Sequence, residues 1–242
     1  MSLILYNTVY TAQEYVVPDW GSCTDAELAT ALEKHYAGEI DLHEHWKIED
    51  GIVRPVTLTT GEQIELVLMH PTYPLADGGT AAFVVGMKDC LDGTSLMNDR
   101  GSNSGGWDKC TMRTWLNDTV YNWMSESFRQ NLRLMNVLTA GGGGGSGTLE
   151  VESQDYLALP AEREVFGSNW YADSDIESLL FQFDWYKTAS NRIKQQDGSA
   201  ILWCERSPST GTRDDFCAVD ESGTTYTTPA DIGGGVSFFC AI

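Results

Sequence analysis

The sequence is poor in positive charge. Fifteen lysines and arginines stand against 35 acidic residues, a formal net charge of −20, and such a surface repels the phosphate backbone on which nucleic-acid affinity rests. DNA, RNA and anionic membranes are therefore not expected as partners. No apolar run approaches the ~18 residues of a membrane span, so membrane insertion is not expected either. The six cysteines, Cys23, Cys90, Cys110, Cys204, Cys217 and Cys240, include no C-x-x-C pair of the kind that structural zinc or dithiol redox chemistry uses. Several lie beside aromatics, in "LWCE", "DFCA" and "FFCA", and read as reduced core thiols. Catalytic signatures are missing too. "GSNSGG" puts Asn103 where a nucleophile elbow needs serine, and "GGGGGSGT" lacks the lysine of a phosphate loop.

Aromatics and glycine are plentiful. Eight Trp, ten Tyr and eight Phe supply ample apolar area for a core that needs no disulfides. "TDAELATALEKHYAG" predicts a helix, with a Thr24/Glu27 capping box, a Leu28, Leu32, Tyr36 stripe and Gly38 as its stop. "GIVRPVTLTTGEQIELVLMH" predicts two strands about the turn Thr60-Gly61, and "TAAFVVGM" a third. "GGWDKCTMRTWLNDTVYNWMSESFRQNLRLM" has helical period at Met112, Trp115, Leu116, Val120, Trp123 and Met124. Ser125 is placed to cap a further piece carrying Phe128, Leu132 and Met135. A short strand "DYLALP", a helical turn "AEREVFG" and the strands "AILWCE", "DFCAVD" and "GVSFFCAI" are expected after the glycine-rich run at 141–147.

"DLHEHWK" sets Asp41, His43 and His45 at alternating positions. In a strand they share a face, and His70 could complete a metal site. The competing reading, surface or half-buried histidines beside Trp46, is preferred, so no metal and no cofactor is expected. Between Ser207 and Gly235 aromatic anchors alternate with polar loops, as in a binding surface on a scaffold. Ser209, Thr212, Arg213, Asp214, Asp215, Asp220, Thr225, Tyr226 and Asp231 are the candidate ligand-binding residues, with Arg213 suited to bidentate recognition of an acid and Tyr226 to an amphipathic anchor. Ordinary solvated turns are the alternative.

The stretches "AGEIDLHEHWKIEDG", "GGWDKCTMRTWLN", "LALPAEREVFGS", "YKTASNRIKQQDGSAILWCERSP" and "GGGVSFFCAI" together resemble a largely uncharacterised family of bacteriophages, prophages and their gut Firmicutes hosts. Its members look like C-type-lectin-like domains, related in fold to formylglycine-generating enzymes and to tropism proteins varied by diversity-generating retroelements. The resemblance implies an α+β, C-type-lectin-like fold with small antiparallel sheets, flanking helices and long loops. The calcium-site motifs of true C-type lectins and the copper-binding cysteine pair of the oxidases are not found, so neither activity carries over.

The expected organisation is an N-terminal arm or strand at 1–20, for attachment or oligomerisation, and one domain at 21–242 with Gly141–Gly147 as an internal loop. The expected function is non-enzymatic binding or display on a virion, as a tail or head decoration. Its partners are then a host-surface protein or glycan and other virion proteins, and a homo-oligomer is expected. A purely structural virion protein and a metal-dependent enzyme on the same scaffold are the rivals. "MSLILYNTVYTAQEY" has no basic n-region, so synthesis in the bacterial cytoplasm is expected, with the virion as destination and the cytoplasm itself as the alternative.

Overall fold

A computed structural model describes residues 15–145, 149–173 and 175–242. Most of the expected arm, and Gly147 of the glycine run, lie outside the described residues. Trp20, at the arm's inner end, is buried and packs on Trp46 at 5.6 Å between ring centroids.

Helix α1 (Asp25–Tyr36) forms as its capping box dictates. Thr24 Oγ1 accepts the Glu27 N–H at 3.2 Å and the Glu27 carboxylate accepts the Thr24 N–H at 2.8 Å. Leu28 and Leu32 are buried, whereas Tyr36 is 42% exposed and uses its hydroxyl to tie Ile242 O and the Ala82 N–H together. "DLHEHWK" is not a strand but a single helical turn, α2 (Leu42–His45), capped by the Asp41 side chain on the His43 N–H at 3.0 Å. Strand alternation therefore does not apply, and the alternative metal set with His45 and His70 is not assembled: the His70 ring stacks on Phe181, with Nδ1 3.6 Å from Asp184.

Strands β1 (Val53–Thr57) and β2 (Gln63–His70) form the hairpin about Thr60-Gly61, and β3 (Val84–Met87) adds to it. Helix α3 (Thr111–Asp118), a 3-10 turn at Val120–Trp123 and α4 (Glu126–Arg129) follow, with Ser125 capping α4 as expected. Leu132 and Met135 do not continue the helix. Arg133 N–H donates to Ala241 O at 2.8 Å and Leu134 O accepts the Ala76 N–H at 2.9 Å, so neighbouring extended chain takes the backbone groups a helix would have used.

Strand β4 (Met135–Ala140) pairs with β5 (Glu150–Asp155) in register from Met135↔Asp155 to Ala140↔Glu150. The glycine run thus closes an antiparallel hairpin. "DYLALP" is not a strand beyond Asp155; Ala158 makes an isolated bridge to Phe239. Helix α5 (Glu162–Phe166) precedes three 3-10 turns. The short ribbon β6 (Lys194–Gln196) and β7 (Ser199–Ile201) leads into β8 (Trp203–Pro208), β9 (Asp215–Val219) and β10 (Thr225–Pro229), and β11 (Phe239–Ala241) returns to pair with β3.

The chain is a mixed α/β protein of small antiparallel sheets and a few helices: a four-stranded sheet β1-β2-β3-β11, a three-stranded sheet β10-β9-β8 and two ribbons. Trp107, Trp203, Tyr73, Phe183 and Phe239 lie fully buried among them. All six cysteines are buried and unpaired, and burial pushes the thiols of Cys90, Cys110, Cys204 and Cys240 up to about 12. Among the described residues no helix is long and apolar enough to cross a membrane.

Candidate binding surface

Three loops distant in sequence meet on one residue. Asn103, within "GSNSGG", is fully buried. Its side-chain NH2 donates to the carbonyls of Ser209 (3.0 Å), Thr212 (3.1 Å) and Asp215 (2.7 Å), its Oδ1 accepts the Gly143 N–H at 2.8 Å, and its own N–H donates to Arg213 O at 2.8 Å. One amide side chain thereby holds the 209–215 connection between β8 and β9 against the glycine run. Glycine is required where the two loops touch. Gly142 has φ +63°, and a Cβ there would run into the Asn103 carbonyl oxygen. Gly145 N–H donates to Thr210 O at 2.8 Å, and Thr210 N–H donates to Tyr171 O at 2.9 Å, which brings in the 170–172 loop.

That fourth loop is set from below by a buried acid. The Glu162 carboxylate accepts the N–H groups of Trp170 (2.8 Å), Tyr171 (3.0 Å) and Ala172 (2.8 Å) and the Thr225 hydroxyl (2.7 Å). Trp170 is left 70% exposed and Tyr171 41%. Three more glutamates lie buried nearby. Glu164 is paired with Arg206, itself fully buried, and also takes the Tyr73 hydroxyl at 3.1 Å. Glu177 accepts the Ser207 hydroxyl, yet burial pushes its carboxyl up to about 7. Glu205 has no hydrogen-bond partner for either oxygen among the described residues; burial, and then Glu162 and Glu177, push its carboxyl well above the usual range. None of these four carboxyls is exposed, so none is part of the surface, and Glu162 supports it from below.

The residues singled out from sequence separate into two groups. Thr212, Arg213 and Asp214 are exposed on the Asn103-held loop, and Thr212 Oγ1 shapes it by accepting the N–H groups of Asp214 and Asp215. Asp231 belongs with them, because Ala230 N–H donates to Asp214 O and the Asp231 carboxylate lies beside Gly101. Ser209 is buried and accepts the Gly211 N–H; Asp215 is half-buried and faces Thr227. The Arg213 guanidinium has no ion pair or hydrogen bond among the described residues. Asp220, Thr225 and Tyr226 lie elsewhere: β9 and β10 pair from Asp215↔Pro229 to Val219↔Thr225, so Asp220 is at the far end of that hairpin. Thr225 faces Glu162, and the half-exposed Tyr226 points to the opposite side of the sheet.

Asn103, Gly143, Trp170 and Tyr171 were not among the sequence candidates. An adjacent aromatic pair flanked by polar loop residues in "GSNWYADSD" was a usable signal for the last two. Asn103 had none, since all its carbonyl partners are more than 100 residues away in sequence.

No curated protein and no solved structure matches the chain. Residues 84–235, which run from β3 past Asn103, the glycine run and the whole β8–β10 sheet to the last loop, match the family described as Domain of unknown function (DUF6273). That stretch is more than half of the 242 residues, and the chain belongs to this family.

Proposed function

We propose that the protein is a non-enzymatic binding and display module whose contact surface is the face held by Asn103. The observation that carries this reading is the division of labour there. A buried amide and buried carboxylates satisfy the loop backbones, which leaves the side chains of Arg213, Asp214, Asp231 and Trp170 directed to solvent on a fixed frame. Preorganised loops lose little entropy on binding, and an exposed tryptophan and an arginine without an ion pair among the described residues, on loops joined through Thr210 and Tyr171, have the composition of an interaction hot spot. The ligand class is a host-surface protein or glycan, since an indole face stacks on a sugar ring as readily as on an apolar side chain.

Small antiparallel sheets, short helices and long loops support reading the fold as C-type-lectin-like, and the resemblance of the sequence motifs supports placement on a phage particle beside other virion proteins. Mass spectrometry of purified particles tests the placement. Binding is tested by probing a glycan array and host-cell envelopes with the purified chain. Wild type is expected to bind, and Trp170→Ala with Arg213→Ala to lose at least about tenfold in affinity; a double variant that binds as wild type overturns the assignment of the surface.

A further inference from the structure

A second constellation lies outside the family-matched stretch. His35 is in the last turn of α1, Asp41 caps α2 and His43 is the second residue of α2. One ligand-capable atom from each lies within 4.8 Å of the others. His43 Nδ1 is 3.0 Å from Asp41 Oδ1, and His35 Nδ1 is 4.0 Å from the same oxygen. The two rings meet edge to face at 5.2 Å. His35 Nδ1 accepts the Leu42 N–H at 3.3 Å, a bond that an ion on this nitrogen displaces.

The other side of His43 decides what its Nδ1 offers. Nε2 lies 2.9 Å from Pro71 O and 2.8 Å from Ala82 O. Carbonyls only accept, so Nε2 carries a hydrogen, and in the neutral ring Nδ1 is then a lone pair. It faces a carboxylate, also an acceptor, and two acceptors at that separation need a cation between them, either a proton on Nδ1 or a metal ion. A metal-ligating histidine commonly has this form, with one nitrogen on the ion and the other donating to a backbone carbonyl that sets tautomer and ring orientation. The Phe83 ring against His43 at 4.6 Å adds a packed wall. The side chains of His43 and Asp41 are 36% and 54% exposed, which leaves a further position open to water.

We infer that His35, Asp41 and His43 form a binding site for one divalent transition-metal ion of the zinc class. Two imidazoles and a carboxylate are the donor set such an ion prefers over calcium or magnesium, which take oxygen ligands. The bound ion ties the end of α1 to α2 and, through His43, to the chain between β2 and β3. His45 is two residues on from His43 on a helical turn and is not part of the set.

Chelator-stripped protein titrated with Zn2+ by calorimetry, with Co2+ absorption as a second readout, tests this. One ion per chain is expected, with a rise in melting temperature. Asp41→Asn keeps a side chain that caps α2, and His35→Asn keeps an acceptor for the Leu42 N–H, so both are expected to fold; each should weaken Zn2+ binding by about tenfold or more. His45→Asn should leave it unchanged. Well below one ion per chain, equal affinity in wild type and both variants, or a loss on His45→Asn as large as theirs overturns the site.

Discussion

The two ends of the β9–β10 hairpin carry similar residues and are built on opposite plans. At the Asp220 end the turn holds itself: the Asp220 carboxylate accepts the N–H groups of Ser222 and Thr224 and both of their hydroxyls. These bonds, with the Thr224 hydroxyl first, draw its carboxyl down to about 2. At the other end the Ser209 and Thr212 hydroxyls shape the 209–215 loop, but its carbonyls are held by Asn103, a residue from elsewhere. A turn closed by its own side chains has fewer left to offer a partner than a loop whose backbone is satisfied from outside. Thr, Arg and Asp in a polar loop therefore mean different things according to where the loop's hydrogen bonds go.

Asn103→Ala breaks the comparison most severely. The Ser209 and Thr212 carbonyls and the Gly143 N–H lose their partner at once, while Asp215 O keeps the Ser209 N–H, and leaving a buried polar group unsatisfied costs about 1–3 kcal/mol where water cannot replace it. A loss of about 3 kcal/mol is expected by chemical denaturation, together with faster hydrogen exchange at 141–145 and 209–215 and no change at 220–224. Uniform acceleration across the hairpin would contradict the separate roles of its ends.

Acidity separates the two ends next. The folded state holds the Glu177 proton up to about 7 against an ordinary 4.5, and Glu205 is shifted in the same direction. The Glu177 share of stability is complete below pH 4.5 and is lost as pH rises through about 7, about 2 kcal/mol between pH 5 and 7; the Glu205 share is likewise lost as pH rises. Glu205→Leu should flatten that slope and raise stability at pH 7. Asp220 has the opposite sign: its share is present above pH 3.8 and is lost as pH falls through about 2. Stability curves that are equally steep from pH 5 to 7 with and without Glu205 would refute the buried-acid account.

The smallest effect is at Asp220 itself. Asp220→Ala removes a solvent-accessible turn lock and should cost about 1 kcal/mol, with ligand binding unchanged.

Where structure is local, the sequence made it legible. The Thr24/Glu27 box fixes the start of α1, Gly61 marks the β1–β2 turn and Ser125 caps α4. β5 escaped because "EVESQD" is a ribbon strand with exposed and half-buried positions at Glu150, Val151, Glu152 and Gln154 and no apolar alternation to announce it. Met135 was drawn out of helical period by tertiary backbone partners. In the candidate binding surface, the exposed loop at 212–214 was visible from composition, but its organiser was not: the glycines around Asn103 suggest only a tight loop, and the partners of its amide come from distant chain. The histidine corner was half visible. Asp41 before Leu42 is a helix-cap signal that outweighs the alternating pattern, while His35 reaches the cluster only because α1 and α2 pack together.

The most direct test of the Asn103-held face is hydrogen exchange of the wild-type chain with and without the ligand that array or envelope binding identifies. Protection is expected at 141–145, 170–172 and 210–214, with the amides of 220–224 unchanged. Protection confined to 220–226, or absent from the Asn103-held loops, would contradict the account.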